Sequence, residues 1–248
     1  MFVRVLSGGF GLIVLFFLAF VANAQETATS GSEIRTLSDL DPSANSRLIS
    51  AGSSSQILDF RLPPNISAQS ARLALAVRGT AASQGELSVT VNGQPAGQII
   101  VRATENSVID IPGDMLQSGA NTVSLTANAA DGDWLVDGRR SRLQVNFIRA
   151  RRPATLGEVE EALAADFGAI RRVAIEDTRG PRAVEALAAQ AIALRAGRVP
   201  LFTHDRSGAD LYLVFESGGD LGLTGPEVVL DVTDGVGIHV RGRNATET

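Results

Sequence analysis

The stretch LSVTVNGQPAGQIIV at residues 87–101 decides how the middle of this chain folds. Its first five residues alternate apolar and polar side chains, which is the period-two pattern of a strand with one buried face. The Asn92-Gly93 pair follows at once and tolerates the positive φ angles of a type I′ turn, so the chain is predicted to return as a second strand from Gly97. Pro95 lacks an N–H, so this second strand is predicted to lie at a sheet edge or to begin with a bulge.

Further stretches with strand-like alternation surround this hairpin, at residues 56–62, 71–78, 107–111, 121–127 and 141–148. Turn-forming pairs such as Pro63-Pro64 and Pro112-Gly113 separate them. Short strands at this spacing, with no helical periodicity between them, predict an antiparallel β-sandwich over residues 54–150.

The pattern changes behind the charged stretch RARRP at residues 149–153. Thr155 and Glu158 have the S/T-x-x-E spacing of a capping box, which predicts that a helix begins there. Three apolar residues at helical spacing are predicted to line its buried face: Val159, Leu163 and Phe167. This helix opens a second domain, predicted to be α/β, over residues 153–248.

Strands and a second helix fill the rest of this second domain. Residues 170–175 predict a strand, and Pro181 and Gly197 mark the first turn and the end of a helix. Apolar runs at residues 199–202, 211–215 and 228–230 predict further strands, and Asp234-Gly235 predicts a final hairpin turn. Continuous apolar strands between helices favour a sheet that is covered on both faces.

Residues 1–24 have the order of parts that defines a signal peptide. Arg4 supplies a positive charge, residues 10–21 are apolar, and Ala22-Asn23-Ala24 fits the cleavage pattern. The protein is therefore predicted to be exported to the periplasm, and retention of this segment as a membrane anchor is the alternative. The polar residues 25–53 are predicted to be a flexible lead-in with little structure.

The composition excludes several classes of function. The 248 residues contain no cysteine, so disulfides, thiolate catalysis and cysteine-based metal sites are excluded. The net charge of −5 gives no support to a nucleic-acid-binding surface.

Several motifs, in this order along the chain, resemble the regulatory subunit family of bacterial cellulose synthases, whose members are periplasmic partners of the membrane synthase. They are Phe60-Arg61-Leu62-Pro63, Asn92-Gly93-Gln94, Asp110-Ile111-Pro112 with Leu116, Gly119-Ala120-Asn121, Trp134 followed by Ser141-Arg142-Leu143, Ala209-Asp210-Leu211 and the residues 221–226 and 240–243. The resemblance covers residues 54–244. It implies a jelly-roll, carbohydrate-binding-like sandwich followed by a small flavodoxin-like α/β domain.

The resemblance also implies a function. The chain is expected to be a non-catalytic periplasmic subunit at the inner membrane, which contacts the membrane glycosyltransferase and a β-glucan and needs no cofactor. The family has two such units and a C-terminal transmembrane helix, whereas one unit and no such helix are expected here. Its name refers to cyclic di-GMP, but no arginine motif in this sequence supports that ligand. The alternatives are a free secreted carbohydrate-binding module and a hydrolase.

The candidate glycan-binding residues lie together before the last strand of the sandwich. Trp134, the one tryptophan, falls in a predicted loop at residues 130–138, where an exposed indole would stack on a sugar ring. Burial in the core is the alternative for so large an apolar side chain. Asp131 and Asp133 are the neighbouring carboxylates, but a calcium loop would need further ligands, so no metal is predicted.

The candidate partner-contact residues are Arg139, Arg140 and Arg142, which begin an arginine-rich stretch predicted to surround the domain junction. They are expected to meet acidic headgroups, an anionic glycan or an acidic partner, and salt bridges between the domains are the alternative. His204-Asp205 is the pair on which a hydrolase would depend, although no G-x-S-x-G motif accompanies it.

Overall fold

The computed structural model describes residues 28–45, 47–49, 54–79, 84–102, 104–127, 134–177, 182–217, 227–232 and 235–242. The predicted signal peptide at residues 1–24 lies outside these ranges, as do Asp131 and Asp133. The described chain forms three sheets, two of which pack together as a sandwich.

Ten strands build the sandwich: β1 (Thr29–Thr36), β2 (Arg47–Ile49), β3 (Ser54–Leu62), β4 (Ile66–Gly79), β5 (Gln84–Val91), β6 (Gln94–Arg102), β7 (Thr104–Pro112), β8 (Gly119–Ala127), β9 (Trp134–Val136) and β10 (Arg142–Arg149). The first sheet has the order β1-β10-β4-β9-β2, with β7 also paired to β4, and the second has the order β3-β8-β5-β6. Every pair is antiparallel, and apolar side chains of both sheets share one core. The predicted antiparallel sandwich is confirmed.

The hairpin at the centre of the prediction is present as β5 and β6. Asn92 and Gly93 have φ angles of +50° and +78°, as a type I′ turn requires. The strand that carries Pro95 forms the edge of the second sheet, and its register with β5 shifts between Val89 and Thr90. Both expected consequences of the proline, an edge position and a bulge, therefore occur together.

Two of the motifs that carry the family resemblance pack against each other at one end of the sandwich. The Asn92 side-chain amide donates to Asn121 Oδ1 and to the Met115 carbonyl, both at 2.9 Å. The Asn121 amide donates in turn to the carbonyl of Gln117 at 2.7 Å. Asn121 is buried, so these bonds satisfy polar groups inside the fold and tie the turn to the start of β8.

The prediction of a flexible lead-in at residues 25–53 is wrong for its described part, because residues 29–40, 42–45 and 47–49 form strands and short helices. β1 pairs with β10 along its whole length and completes the edge of the first sheet. The short helix α1 (Leu37–Leu40) follows, capped by Thr36 and Asp39, and Leu37 is fully buried. Seven of the eight residues of β1 are polar or glycine, so composition alone made this edge strand resemble a linker.

The second half contains α2 (Leu156–Ala164), β11 (Arg172–Asp177), α3 (Arg182–Ala196), β12 (Leu201–Thr203), β13 (Leu211–Ser217), β14 (Glu227–Asp231) and β15 (Gly237–Gly242). The third sheet has the order β12-β11-β13-β15-β14, in which the first four strands are parallel and β14 is antiparallel. The four parallel strands follow the order of the first four strands of a flavodoxin-like sheet, but the fifth strand, β14, is antiparallel, and the flavodoxin-like assignment stays a prediction.

Both helices pack on the same face of the third sheet. Leu163 of α2 and Ile192 of α3 belong to one apolar cluster with Val173, Ile175 and Leu211 of the strands. The other face buries a smaller cluster, Ala174, Tyr212 and Val214, beside polar side chains that are described below. Apolar side chains are therefore buried on both faces of this sheet, as predicted, although α2 and α3 both pack on the first face.

Phe167 does not line α2 as predicted. The helix ends at Ala164, and Ala165 has the extended angles φ −72° and ψ 150°, so the chain leaves the helix axis two residues before Phe167. The Phe167 side chain is fully buried in the sandwich core, where its ring meets Phe60 edge-on with centroids 5.6 Å apart. The segment after α2 thus supplies a core residue to the sandwich.

Polar contacts reinforce this junction between the halves. Asp166 and Arg61 exchange two hydrogen bonds, from Asp166 N to the Arg61 carbonyl at 3.0 Å and from Arg61 N to Asp166 Oδ2 at 2.7 Å. Glu33 of β1 accepts from Arg171 Nη2 at 2.5 Å and from Gly168 N at 3.2 Å. Asp166 is half-buried, and this burial raises the pKa of its carboxyl group above the ordinary value.

Candidate functional site

Trp134 cannot serve as the predicted sugar platform, and this is a second correction. It begins β9, which pairs with β2 and β4, and only 1% of its surface is exposed. The indole therefore fills the sandwich core, in agreement with the alternative stated above. Asp131 and Asp133, the other candidate glycan-binding residues, lie outside the described residues.

The predicted partner-contact arginines lie at the start of β10. Arg139 and Arg140 are exposed in the preceding turn, where their backbone N–H groups donate to Asp137 Oδ1 at 3.0 and 3.2 Å. Arg142 begins the strand and Arg149 ends it, about 23 Å away at ~3.3 Å per residue. The arginine-rich stretch is therefore split between two ends of β10, and only its second part leads into the junction. Partner contact by the first part stays a prediction.

His204 and Asp205 do not form a catalytic pair in which the carboxylate orients the imidazole as a general base. His204 Nδ1 lies 3.2 Å from the Ile175 carbonyl, whereas Asp205 Oδ1 accepts from Ser207 N at 2.8 Å. The His204 ring therefore contacts β11, whereas the Asp205 carboxylate stabilises the local turn, and the two side chains have different partners. The arrangement on which the hydrolase alternative depended is absent from this part of the chain.

The outer face of the first sheet carries a row of uncharged polar side chains, which we call the amide–hydroxyl row: Ser32, Ser70, Gln144 and Asn146. The Ser32 hydroxyl donates to Asn146 Oδ1 at 2.7 Å, and the Asn146 amide donates to Ser70 Oγ at 3.0 Å. The Gln144 amide donates to Ser32 Oγ at 3.0 Å. The row crosses β1, β10 and β4, and Ser32 sits directly opposite Asn146 in the pairing register.

The strands place this row outward because their alternate residues enter the core. Leu143 and Val145 of β10 are fully buried, so Gln144 and Asn146 between them face away. A register shift between Asn146 and Phe147 interrupts the pairing of β10 with β4 at this position. A surface depression of about 530 Å³ lies beside it, and its lining includes Ser32 and Asn146.

Sequence reasoning did not find this row. Ser32 lay in the predicted lead-in, and the other three residues were simply the polar positions of predicted strands. Their meeting depends on the pairing of β1 with β10 and of β10 with β4, which joins residues more than 70 positions apart. Alternation along each strand was the available signal, but it does not identify the neighbouring strand.

The face of the third sheet opposite α2 and α3 carries a second polar network. The Tyr212 hydroxyl donates to Asp231 Oδ2 at 3.2 Å, and Arg241 Nε donates to Glu216 Oε2 at 2.8 Å. His239 Nδ1 lies 2.9 Å from Glu216 Oε1. Burial raises the pKa of Glu216, but the hydrogen bonds from Arg241 and His239 outweigh burial and hold it below its ordinary value. The polar groups of this network are therefore hydrogen-bonded to one another within the sheet.

Two further findings concern other classes of site. The described ranges contain no group of three or more His, Asp or Glu side chains placed to hold a metal ion. None of the helices within them is long and apolar enough to cross a bilayer.

No family model and no curated protein matches this chain. Solved structures match parts of it. A family 35 carbohydrate-binding module from an environmental isolate is 20% identical over 39% of this chain and 66% of the module, with a TM-score of 0.30. Dimeric latent PorU from Porphyromonas gingivalis is 11% identical over 51% of this chain and 13% of PorU, with a TM-score of 0.36. A family 35 carbohydrate-binding module from Clostridium thermocellum is 16% identical over 48% of this chain and 97% of the module, with a TM-score of 0.27.

The chain therefore spans only 66% and 13% of the first two of these proteins. Identities of 11–20% and TM-scores of 0.27–0.36 carry no argument about what this chain binds. The sandwich rests on the strand pairings given above. None of these matches shows the regulatory subunit family of cellulose synthases, which stays a prediction from sequence motifs.

Proposed function

We propose that this chain is a non-catalytic glycan-binding protein, in which the outer face of the first sheet contacts an uncharged polysaccharide such as a β-glucan. The observation that carries the proposal is the amide–hydroxyl row, in which Ser32, Ser70, Gln144 and Asn146 form one hydrogen-bonded line across three strands.

The chemistry of the row suits sugar hydroxyl groups. Serine hydroxyls and side-chain amides can each donate and accept, as sugar hydroxyls do, so bonds within the row can be exchanged for bonds to a glycan. Ile34 lies opposite Gln144 in the pairing register and is 54% exposed. Such a side chain offers apolar contact for the C–H face of a sugar ring. The pairing of polar and apolar surface is typical of sites for small polar ligands.

We further propose that the protein acts as a periplasmic subunit of an exopolysaccharide synthase of the cellulose type, at the inner membrane. The motif resemblance and the signal-peptide pattern at residues 1–24 support this role. Exposed apolar side chains in the second half supply surface for a protein partner: Leu187, Leu194, Val199 and Leu201 are 66%, 75%, 79% and 59% exposed. In this proposal the sandwich meets the glycan and the second half meets the membrane glycosyltransferase.

Glycan binding is tested by affinity electrophoresis of the full chain in gels that contain soluble β-glucan. We expect the wild type to be retarded and Asn146→Ala to lose about fivefold in affinity, because one net hydrogen bond contributes roughly 1 kcal/mol. Ser124→Ala is the matched control, since Ser124 lies on β8 of the second sheet. Free migration of the wild type, or equal retardation of the two variants, would contradict the proposal.

The synthase partner is tested separately, by mild-detergent affinity purification of the tagged protein from its own cells with mass spectrometry. Recovery of a membrane glycosyltransferase supports the subunit role. Elution of the protein alone from the soluble periplasmic fraction refutes that role. Combined with retained glycan binding, this second outcome identifies a free carbohydrate-binding module instead.

A further inference from the structure

A charged pair lies beside the amide–hydroxyl row on the outer face of the first sheet. Arg72 of β4 and Asp110 of β7 are direct neighbours in the pairing register, and Arg72 Nε donates to Asp110 Oδ1 at 2.8 Å. Arg72 and Asp110 face away from the core, with 58% and 73% of their side-chain surfaces exposed. The residues on either side of them along the two strands are buried: Ala71, Leu73, Ile109 and Ile111.

The pair continues the row towards the far edge of the sheet. Arg72 follows Ser70 by two residues on β4, which places their Cα atoms about 7 Å apart on the same face. Gln144 of the row lies directly opposite Arg72 in the pairing of β10 with β4. β7, which carries Asp110, pairs with the other side of β4. One polar surface therefore extends over four strands, from Ser32 on β1 to Asp110 on β7.

The pair leaves most of its hydrogen-bonding groups unused. The Arg72 guanidinium contacts Asp110 through Nε, and no described residue accepts from its Nη1 or Nη2. Asp110 Oδ2 likewise accepts from none of the described residues. A guanidinium has five N–H donors and a carboxylate has two acceptor oxygens, so this pair presents donors and an acceptor side by side to solvent.

The contact between the two side chains also fixes their charge. The hydrogen bond from Arg72 holds the pKa of the Asp110 carboxyl group below its ordinary value. Asp110 therefore stays an acceptor, and Arg72 a donor, at neutral and mildly acidic pH. Because one charge is positive and the other negative, the pair adds no net charge beside the uncharged row. Such a surface favours a neutral polar ligand over an ionic one.

An exposed apolar side chain borders the pair, as Ile34 borders the row. Val108 precedes Asp110 by two residues on β7, so both face outward, and Val108 is 55% exposed. Ala74 lies opposite Val108 on β4. A sugar ring that is hydrogen-bonded to the pair can therefore place its C–H groups over aliphatic surface.

We propose that the Arg72–Asp110 pair binds two hydroxyl groups on neighbouring carbons of one sugar, and thereby selects β-1,4-linked over β-1,3-linked glucans. This inference rests on the glycan binding proposed above and names the linkage that the same surface prefers. A free N–H of Arg72 donates to one hydroxyl oxygen, and the neighbouring hydroxyl group donates to Asp110 Oδ2. Hydrogen bonds to charged groups are roughly twice as strong as neutral ones, so the pair adds a preference that the row alone lacks.

The two classes of glucan differ in the hydroxyl groups that each linkage leaves free. A β-1,4 linkage occupies an end position among the three ring hydroxyl positions of an internal sugar, so two neighbouring hydroxyl groups remain. A β-1,3 linkage occupies the middle position, so the two remaining ring hydroxyl groups are not neighbours. An internal sugar of a β-1,3-linked glucan therefore lacks the arrangement that satisfies Arg72 and Asp110 together. A site built to bind a hydroxyl group discriminates against a ligand that lacks it there.

Isothermal titration of the full chain with cellohexaose and laminarihexaose tests the proposal. Both are chains of glucose, with β-1,4 and β-1,3 linkages respectively. We expect cellohexaose to bind about fivefold more tightly or better, because only the end sugars of laminarihexaose have neighbouring hydroxyl groups. Equal affinities, or tighter binding of laminarihexaose, would overturn this inference and leave the proposed glycan binding in place. Binding of neither chain would overturn the proposed function and this inference with it.

Variants test whether the pair causes the preference. Arg72→Ala and Asp110→Ala are each expected to weaken the binding of cellohexaose about tenfold and to leave that of laminarihexaose nearly unchanged. Arg78→Ala is the matched control, because it removes the same side chain from the exposed face of β4 about 20 Å from Arg72, and it is expected to change neither affinity. Circular dichroism melting verifies that the variants are folded. A preference that persists in Arg72→Ala and Asp110→Ala, or an equal loss in Arg78→Ala, would overturn the role of the pair.

Discussion

The sandwich and the third sheet bury their apolar side chains in different ways. In the sandwich, each sheet buries one face against the other, and the largest buried side chains, Trp134, Phe60 and Phe167, all belong to the core between them. In the second half, the third sheet buries one face under α2 and α3, and its other face carries the network around Glu216 and His239.

The difference lies in what the open faces can still bind. The amide–hydroxyl row of the first sheet is uncharged, and each of its members can exchange a neighbour for a ligand. On the third sheet, Glu216 is held between Arg241 and His239, so charges are already matched within the protein. In our proposal, glycan binding therefore belongs to the sandwich, and the network on the third sheet stabilises the fold.

The largest expected effect tests whether Trp134 stabilises the sandwich core. Trp134→Ala removes a side chain that is only 1% exposed, so we expect a loss of about 4 kcal/mol in the free energy of unfolding. Urea denaturation followed by circular dichroism measures this loss. A variant with unchanged stability and lost glycan binding would instead restore the predicted role of Trp134 as a sugar platform.

The next effect tests whether the two halves unfold as one unit. Phe167→Ala is expected to cost about 3 kcal/mol and to uncouple the halves, because Phe167 follows α2 yet packs against Phe60 of β3. The one tryptophan and the one tyrosine, Trp134 and Tyr212, report on the sandwich and the second half respectively.

We expect the fluorescence of Trp134 and the near-ultraviolet circular dichroism of Tyr212 to change together in the wild type and separately in Phe167→Ala. Phe202→Ala is the control, because this residue packs only within the second half. Coincident transitions in Phe167→Ala would show that other contacts suffice to couple the halves.

The smallest expected effect concerns the ion pair between Arg151 and Glu158 at the start of α2, where the second half begins. Hydrogen bonds from Arg151, and then from Ala154 N, lower the pKa of Glu158 from 4.5 to about 2. A carboxyl group whose pKa is lowered by folding stabilises the fold above its ordinary pKa, and this contribution is lost as the pH falls from 4.5 towards 2. Because the Arg151–Glu158 pair lies at the surface, we expect it to contribute under about 1 kcal/mol to the free energy of unfolding.

Thermal melting of the wild type and of Arg151→Gln between pH 7 and pH 2 checks this prediction. The variant is expected to melt lower at pH 7, and the difference is expected to disappear near pH 2. Arg139→Gln provides the same loss of charge in the turn before β10. A difference between wild type and Arg151→Gln that persists at pH 2 would assign the stabilisation to packing instead of charge.

Local signals in the sequence determined much of the fold. The Asn92-Gly93 turn and the end of α3 at Gly197 depend on backbone angles, with φ values of +50°, +78° and +63°, which these residues adopt at low cost. Alternation of apolar residues likewise predicted most strands of the sandwich, because it records which face each strand buries.

Only the tertiary structure decided the candidate sites. Ser32 meets Asn146, and Glu33 meets Arg171, across more than 100 residues of chain. Phe167 has the helical spacing of α2, but its side chain lies in the sandwich core. Periodicity shows that a residue is buried or exposed, but it does not show against which partner. That choice depends on strand pairing and on the path of the chain between the two halves, which form only when the whole chain packs together.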